Sequence, residues 1–406
     1  MSTNRREFLK LLGTAGVVSL AGPVPALWSQ AIGAETKAPG ERVLVLIQLA
    51  GGNDGLNTVV PINDDSYYKA RPGIAIGKGA ALKLNDAVGL HPSMTGFRDL
   101  WDTNRLAIVQ GVGYPKPDRS HFRSMDIWHA AHFSERIPNG WIGRLLDQTV
   151  SSSSTAWEAA CIGLDKLPLA CLGERVVPPT IQRLEEFRLT HSGRDVAVVS
   201  SPAWKQVAAS ASGSGELDFL RRSATAAVTS AERLASLSQE YRSTAAYPST
   251  ALAQRLKLVA QMITADLPAR VYFVSLDGFD THAQQLPGHA VLLSELSSAI
   301  AAFFADLDEK NHGNRVMLAT FSEFGRRLAE NGSLGTDHGA ASVQFVVTPP
   351  GKGGMYGTAP SLTDLDDGDP KFTTDFRRVY ATLLERWLQR PSEPILGEVF
   401  APLDFA

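Results

Sequence analysis

The stretch from Val43 to Thr58, VLVLIQLAGGNDGLNT, constrains the fold more than any other. It is apolar except for Gln48, and it stops at a glycine pair followed by Asp54-Gly55. A short apolar run bounded by turn residues has the pattern of a strand buried on both faces, and hence of a parallel sheet. Asp54 then lies just past the carboxyl end of a strand, the edge at which open α/β sheets place their ligands. Gly51, Gly52 and Gly55 allow a tight turn and a close backbone approach there. Asn-Asp-Gly is also ordinary turn chemistry, so Asp54 gains weight as a ligand only from acidic and histidine residues at comparable strand ends.

With 406 residues, 44% of them hydrophobic, the chain can fill one large α/β core or two smaller ones. Its net charge of −3 comes from 39 basic and 42 acidic side chains without a long run of one sign, which argues against nucleic acid or an anionic membrane as partner. Arg5-Arg6 precedes Glu7-Phe8-Leu9-Lys10 and a modest apolar stretch, Leu11 to Leu27, broken by Pro23 and Pro25. This is the pattern of a twin-arginine signal peptide over 1–34, cleaved after Gly33 or Ala34. It falls short of the ~20 continuous apolar residues a spanning helix needs. The expectation is a periplasmic or extracytoplasmic protein that meets the twin-arginine translocase during export and has no stable membrane insertion. That route carries folded, often cofactor-loaded proteins. Cys161 and Cys171, the two cysteines, either pair in an oxidising compartment or are separate core thiols.

In chain order, Pro61 to Gly73 reads as a loop, Pro92 to Thr103 as a helix and Leu106 to Val112 as a strand. Gly113 to His121 then leads into a helical pattern with Phe122, Met125 and Trp128. Ser120 at its start is either a plain N-cap or a nucleophile assisted by the free N–H groups of the helix end. His129 and His132 on the same helix read as ordinary partly buried histidines. From about 150 to 250 the sequence is rich in Ser and Ala, suggesting an insertion or lid, or else an ordinary pair of α/β units. Beyond it, Leu252 to Ile263 is an amphipathic helix, Val271 to Leu276 a strand, Leu292 to Leu307 a helix and Val316 to Phe321 a strand. This βαβ unit implies parallel pairing. A further apolar run spans Val343 to Val347, and the last clear helix holds Phe376, Val379, Leu383 and Trp387.

Asp54, Asp280, His282, Glu323, Asp337 and His338 thus lie beside strands far apart in sequence, whose ends meet at one edge of a parallel sheet. Carboxylates mixed with imidazoles suit zinc or manganese, whereas an all-oxygen shell would suit calcium or magnesium.

The twin-arginine start, Gly-Gly-Asn-Asp-Gly, Arg-Ser-His-Phe, Gly-Phe-Asp-Thr-His, Ser-Glu-Phe-Gly-Arg and Thr-Asp-His-Gly together resemble the domain-of-unknown-function 1501 family across essentially the whole exported chain. That family is largely uncharacterised and is grouped with the alkaline phosphatase and sulfatase-like superfamily. The resemblance implies a single alkaline phosphatase-like α/β domain over 35–406, with a mixed, mainly parallel central sheet flanked by helices. It also implies a metal-dependent hydrolase of phosphate or sulfate esters. Asp54, Asp280, His282, Glu323 and His338 would be metal ligands, Ser120 the nucleophile, and Arg326 a neutraliser of substrate oxyanion charge. Asp277 to His282 is one residue longer than the superfamily's Asp-X-X-X-His segment. Either Asp337-His338 is the superfamily's Asp-His pair, or Glu323 replaces that pair and His338 is its later histidine, which preserves the strand order. In both assignments one superfamily histidine is missing, so the site would hold one ion, two or none. The alternative function is a non-catalytic exported binding or assembly protein with a degenerate site.

Overall fold

The computed structural model describes residues 41–134, 138–149, 159–178, 180–182, 241–267 and 269–406, with the backbone of short strands at Ser19–Leu20, Leu189–His191 and Arg194–Asp195. Arg5, Arg6 and nearly all of the expected signal peptide lie outside the described residues, as does most of the expected insertion or lid at about 150–250.

The first apolar run is strand β1 (Val43–Ala50). After it come α1 (Thr95–Asp102), β2 (Leu106–Gly113), α2 (His121–Ala130), α3 (Trp141–Thr149), β3 (Ala159–Ile162), β4 (Thr180–Ile181) and α4 (Ala251–Thr264). The βαβ unit follows as β5 (Val271–Asp277), α5 (Gln285–Glu309) and β6 (Val316–Phe321). A hairpin of β7 (Arg326–Glu330) and β8 (Thr336–His338) precedes β9 (Ser342–Val347) and β10 (Gly354–Gly357). A second hairpin of β11 (Leu365–Asp366) and β12 (Asp369–Pro370) leads to β13 (Thr374–Asp375) and α6 (Phe376–Thr382).

The main sheet runs β10-β2-β9-β6-β1-β5-β3-β4, with β13 also beside β2. β1 pairs in parallel with β5 and β6, and β9 alone runs antiparallel to its neighbours β6 and β2. The sheet is therefore mixed and mainly parallel, as expected. β5 and β6 are not adjacent, because β1 lies between them. Val43, Val45, Ile47 and Leu49 face a core shared with α1, α4 and α5, while Leu44 and Leu46 face one shared with α2, α3 and α6. Burial on both faces explains why β1 is a continuous apolar run rather than an alternating one. Gln48, its exception, meets His129 of α2, whose Nε2 lies 2.8 Å from Gln48 Oε1. Burial pushes the His129 imidazole down to about 3, so it stays neutral.

One expected loop holds a helix. Within Pro61 to Gly73, Asp64 caps a turn at Asp65–Ala70 by accepting from the Ser66 N–H. The buried Tyr67 explains why that turn is ordered, for its hydroxyl donates to Asn57 Oδ1 at 2.7 Å and accepts from the Ile76 N–H. Cys161 and Cys171 are free, buried thiols. Burial and the neighbouring Cys161 hold the Cys171 thiol well above its ordinary value. Helix α5 is long and apolar enough to cross a membrane by composition, yet Leu293, Leu296, Ile300, Phe303 and Leu307 are packed against the sheet.

Candidate metal centre

The carboxyl ends of β1, β2, β5 and β6 and the amino end of β9 meet at one edge of the sheet. The turn after β1 brings them close. Gly51 and Gly52 take φ of 121° and 81°, and a Cβ on Gly51 would sit 2.3 Å from the Asp280 backbone nitrogen. Only glycine permits both the left-handed backbone and this contact. Arg326, 1% exposed, ties the loops together. It donates from Nε to the Gly52 carbonyl at 2.7 Å, from Nη1 to that of Thr336 at 2.8 Å, and from Nη2 to those of Gly51 and Phe279 and to Asp280 Oδ1 at 3.0 Å.

Three imidazoles surround Asp280. His338 Nε2 lies 3.2 Å and His282 Nε2 3.1 Å from Asp280 Oδ1, His121 Nε2 lies 3.5 Å from Oδ2, and the Nε2 atoms of His282 and His338 are 2.9 Å apart. The other nitrogen of each ring faces an acceptor: His338 Nδ1 the Arg119 carbonyl at 2.8 Å, His121 Nδ1 Glu323 Oε1 at 2.9 Å, and His282 Nδ1 Asp337 Oδ1 at 3.4 Å. A carbonyl or an ionised carboxylate only accepts, so a proton at each Nδ1 satisfies its partner, and each ring then turns Nε2 toward Asp280, where an Nδ1–H tautomer presents a lone pair. Lone pairs facing one another and a carboxylate repel unless a cation or an additional proton lies among them.

His121, Asp280 and His338 offer ligand atoms all within 4.8 Å of one another, with His282 on their flank. Imidazole nitrogens held from behind by carboxylates and a carbonyl, together with one carboxylate oxygen, fit a single ion of the zinc or manganese kind. Burial acts to raise the Asp280 carboxyl, but the Arg326 hydrogen bond and charge, with the close contact to His338, hold it below its ordinary value. Burial keeps the His338 imidazole below its own. The Asp280 side chain is 47% exposed, so the centre opens to solvent.

The structure thus brings together Asp280, His282 and His338 from the sequence expectation, and it departs from that expectation elsewhere. Asp54 is not in the group. It is buried as the N-cap of the turn Gly55–Thr58, where its oxygens accept from the N–H groups of Leu56 and Asn57, from Gln285 Nε2 at 2.6 Å and from Arg71 Nη1 at 2.6 Å. Glu323 and Asp337 stand behind His121 and His282 rather than among the Nε2 atoms, and Glu323 also accepts from the Gly51 N–H at 2.8 Å. Arg326 is a structural clamp rather than the expected substrate-facing group, because its side chain is fully buried and its three nitrogens donate to five acceptors of the protein. Ser120 begins α2 with an exposed side chain that makes no capping hydrogen bond. It stands between Arg119 and His121, which both touch the centre. His121 itself was missed. The available signal was its position directly after Ser120 in Arg-Ser-His-Phe.

A family model described as protein of unknown function (DUF1501) matches residues 41–389. The chain belongs to that family. No curated protein matches this DUF1501 member. Among solved structures it is similar to murine ectonucleotide pyrophosphatase/phosphodiesterase 5 in complex with AMP, at 10% identity and a TM-score of 0.30, covering 70% of this chain but only 57% of that one. The C-terminal periplasmic domain of EptC from Escherichia coli is similar at 10% identity and a TM-score of 0.34, with 78% and 75% of the two chains covered. The sulfatase PsFucS1 from Pseudoalteromonas sp. is similar at 13% identity and a TM-score of 0.38, with 94% and 73% covered.

Proposed function

We propose that this chain is an exported, metal-dependent hydrolase of phosphate or sulfate esters. The observation that carries the metal assignment is the anchoring of three Nδ1 atoms by the Arg119 carbonyl, Glu323 and Asp337, which turns three Nε2 atoms toward Asp280. In this reading His121, Asp280, His282 and His338 hold one divalent ion, zinc or manganese. When bound, that ion supplies Lewis-acid activation and offsets anionic charge. Ser120 presents the nucleophilic hydroxyl, and the free N–H groups at the start of α2 receive substrate oxygens. The competing reading, a binding or assembly protein that retains the fold, draws support from Arg326, whose donors are all turned inward.

The experiment is turnover of generic phosphate and sulfate monoesters and diesters by protein loaded with zinc or manganese, alongside Ser120→Ala. Hydrolysis that Ser120→Ala abolishes while metal content stays unchanged is the expected result. Metal binding without turnover of any ester would replace the hydrolase with the binding reading. Export is part of the proposal and has its own check. Replacing Arg5 and Arg6 together by Lys should leave the protein in the cytoplasm on cell fractionation, and normal export of that variant would remove the twin-arginine assignment.

A further inference from the structure

Arg119 has an unusual division of labour. Its carbonyl accepts from His338 Nδ1 at 2.8 Å, whereas its side chain points to a different element, the β11–β12 hairpin. There Nε and Nη2 donate to Asp369 Oδ2 at 3.1 and 2.8 Å, and Nη1 and Nη2 each donate to Asp367 Oδ2 at 3.1 Å. The hairpin turn, Asp366-Asp367-Gly368-Asp369, passes through left-handed backbone at Asp367 (φ 49°) and Gly368 (φ 84°). A Cβ on Gly368 would lie 2.9 Å from Arg327 Nη2. Asp369 is a buried carboxylate whose Oδ1 lies 3.4 Å from Arg327 Nε, and burial pushes its carboxyl up. An exposed arginine pair contributes little, so a buried carboxylate accepting two hydrogen bonds from one guanidinium requires a reason.

The position of the Arg119 backbone supplies one. We infer that Arg119, held by Asp369, is a positioning residue for the metal centre: the hairpin fixes the side chain, the side chain fixes the backbone at 119, and the carbonyl there holds His338 as the Nδ1–H tautomer with Nε2 aimed at Asp280. The inference rests on the reading of this centre as a metal site. It assigns no substrate contact to Arg119, whose donors are engaged by the hairpin. Partners behind a metal-binding histidine set its ring orientation and tautomer, and their loss lowers metal affinity by about 10- to 100-fold.

The test uses Arg119→Met, which keeps the backbone carbonyl and removes its anchor, and Asp369→Ala. Two readouts are taken: zinc affinity by calorimetry on the full protein, and the His338 tautomer by 15N NMR of metal-free protein, assigned by comparison with His338→Gln. Both variants should bind zinc about 10- to 100-fold more weakly and show His338 as a mixture of tautomers. Asp369→Asn, which keeps an oxygen acceptor, should fall between them and wild type, so the inference stays testable if Asp369→Ala does not fold. Lys371→Ala removes an exposed pair with Asp364 on the same loop and should change neither readout. Unchanged affinity and a single His338 tautomer in folded Arg119→Met would overturn the inference. If wild type takes up no zinc, the metal reading fails, while the tautomer measurement still decides the role of Arg119.

Discussion

Arg71→Ala should destabilise the fold by about 3–5 kcal/mol, the effect of removing one partner from a buried ion pair. Arg71 and Asp54 both have fully buried side chains, with Arg71 Nη1 2.6 Å from Asp54 Oδ2. The guanidinium also donates to Asn57 Oδ1 at 2.7 Å and to the carbonyls of Leu328 and Arg327 at 2.8 and 2.9 Å. Truncation would leave a buried carboxylate opposed only by Gln285 and two N–H groups, together with two carbonyls that have lost the Arg71 donor, while Asn57 Oδ1 keeps the Tyr67 hydroxyl. Burial acts to raise the Asp54 carboxyl, but the Arg71 charge and its hydrogen bond, with the other donors, hold it below the ordinary 3.8. A depressed carboxylate contributes stability that is complete above its unfolded value and is lost as pH falls through the folded one. Without Arg71 the burial effect dominates and the sign reverses, so the difference between variant and wild type should be largest at neutral pH, begin to shrink as pH falls through the variant's raised value and shrink further below about pH 4. Urea unfolding of metal-free protein at several pH values measures this. A difference below about 1 kcal/mol at pH 7 would mean that the pair is no better than a surface salt bridge.

Replacing both Asp280 and His338 by alanine should lower affinity for the preferred ion by more than about a hundredfold, since even the loss of a partner behind a metal-binding residue lowers it 10- to 100-fold. Asp280 is the group on which the three imidazoles converge, and His338 Nε2 is close to both Asp280 and His282. The measurement is elemental analysis of purified protein with calorimetric titration of zinc and manganese, and His312→Ala serves as control because His312 bonds Arg315 outside the group around Asp280. Wild-type stoichiometry and affinity in the double variant would place the ion elsewhere or remove it. The structure would then hold a cluster of hydrogen-bonded histidines in which additional protons separate the Nε2 atoms.

The local pattern of the chain determined much of the scaffold. The apolar run Val43–Ala50, the alternation of strand and amphipathic helix from Ala251 to Phe321 and the glycines after β1 are short-range signals, and these elements formed near their expected bounds except α5, which begins at Gln285, about two turns before the expected Leu292. Polar residues following those strands could be assigned to one edge because parallel strands share a direction. Asp280, His282 and His338 were within reach for that reason. Two matters were decided only by tertiary structure. The insertion of β1 between β5 and β6 depends on which strand edges pair, and periodicity carries no information about that. The direction in which each carboxylate turns depends on partners distant in sequence. Asp54 turned inward because Arg71 and Gln285 reached it, and Glu323 became the support of His121 because α2 delivers an imidazole to it from 202 residues away. A carboxylate at a strand end looks the same in sequence whether it meets a cation of the protein, an imidazole or a metal, since the choice is made by groups the chain brings close only after folding.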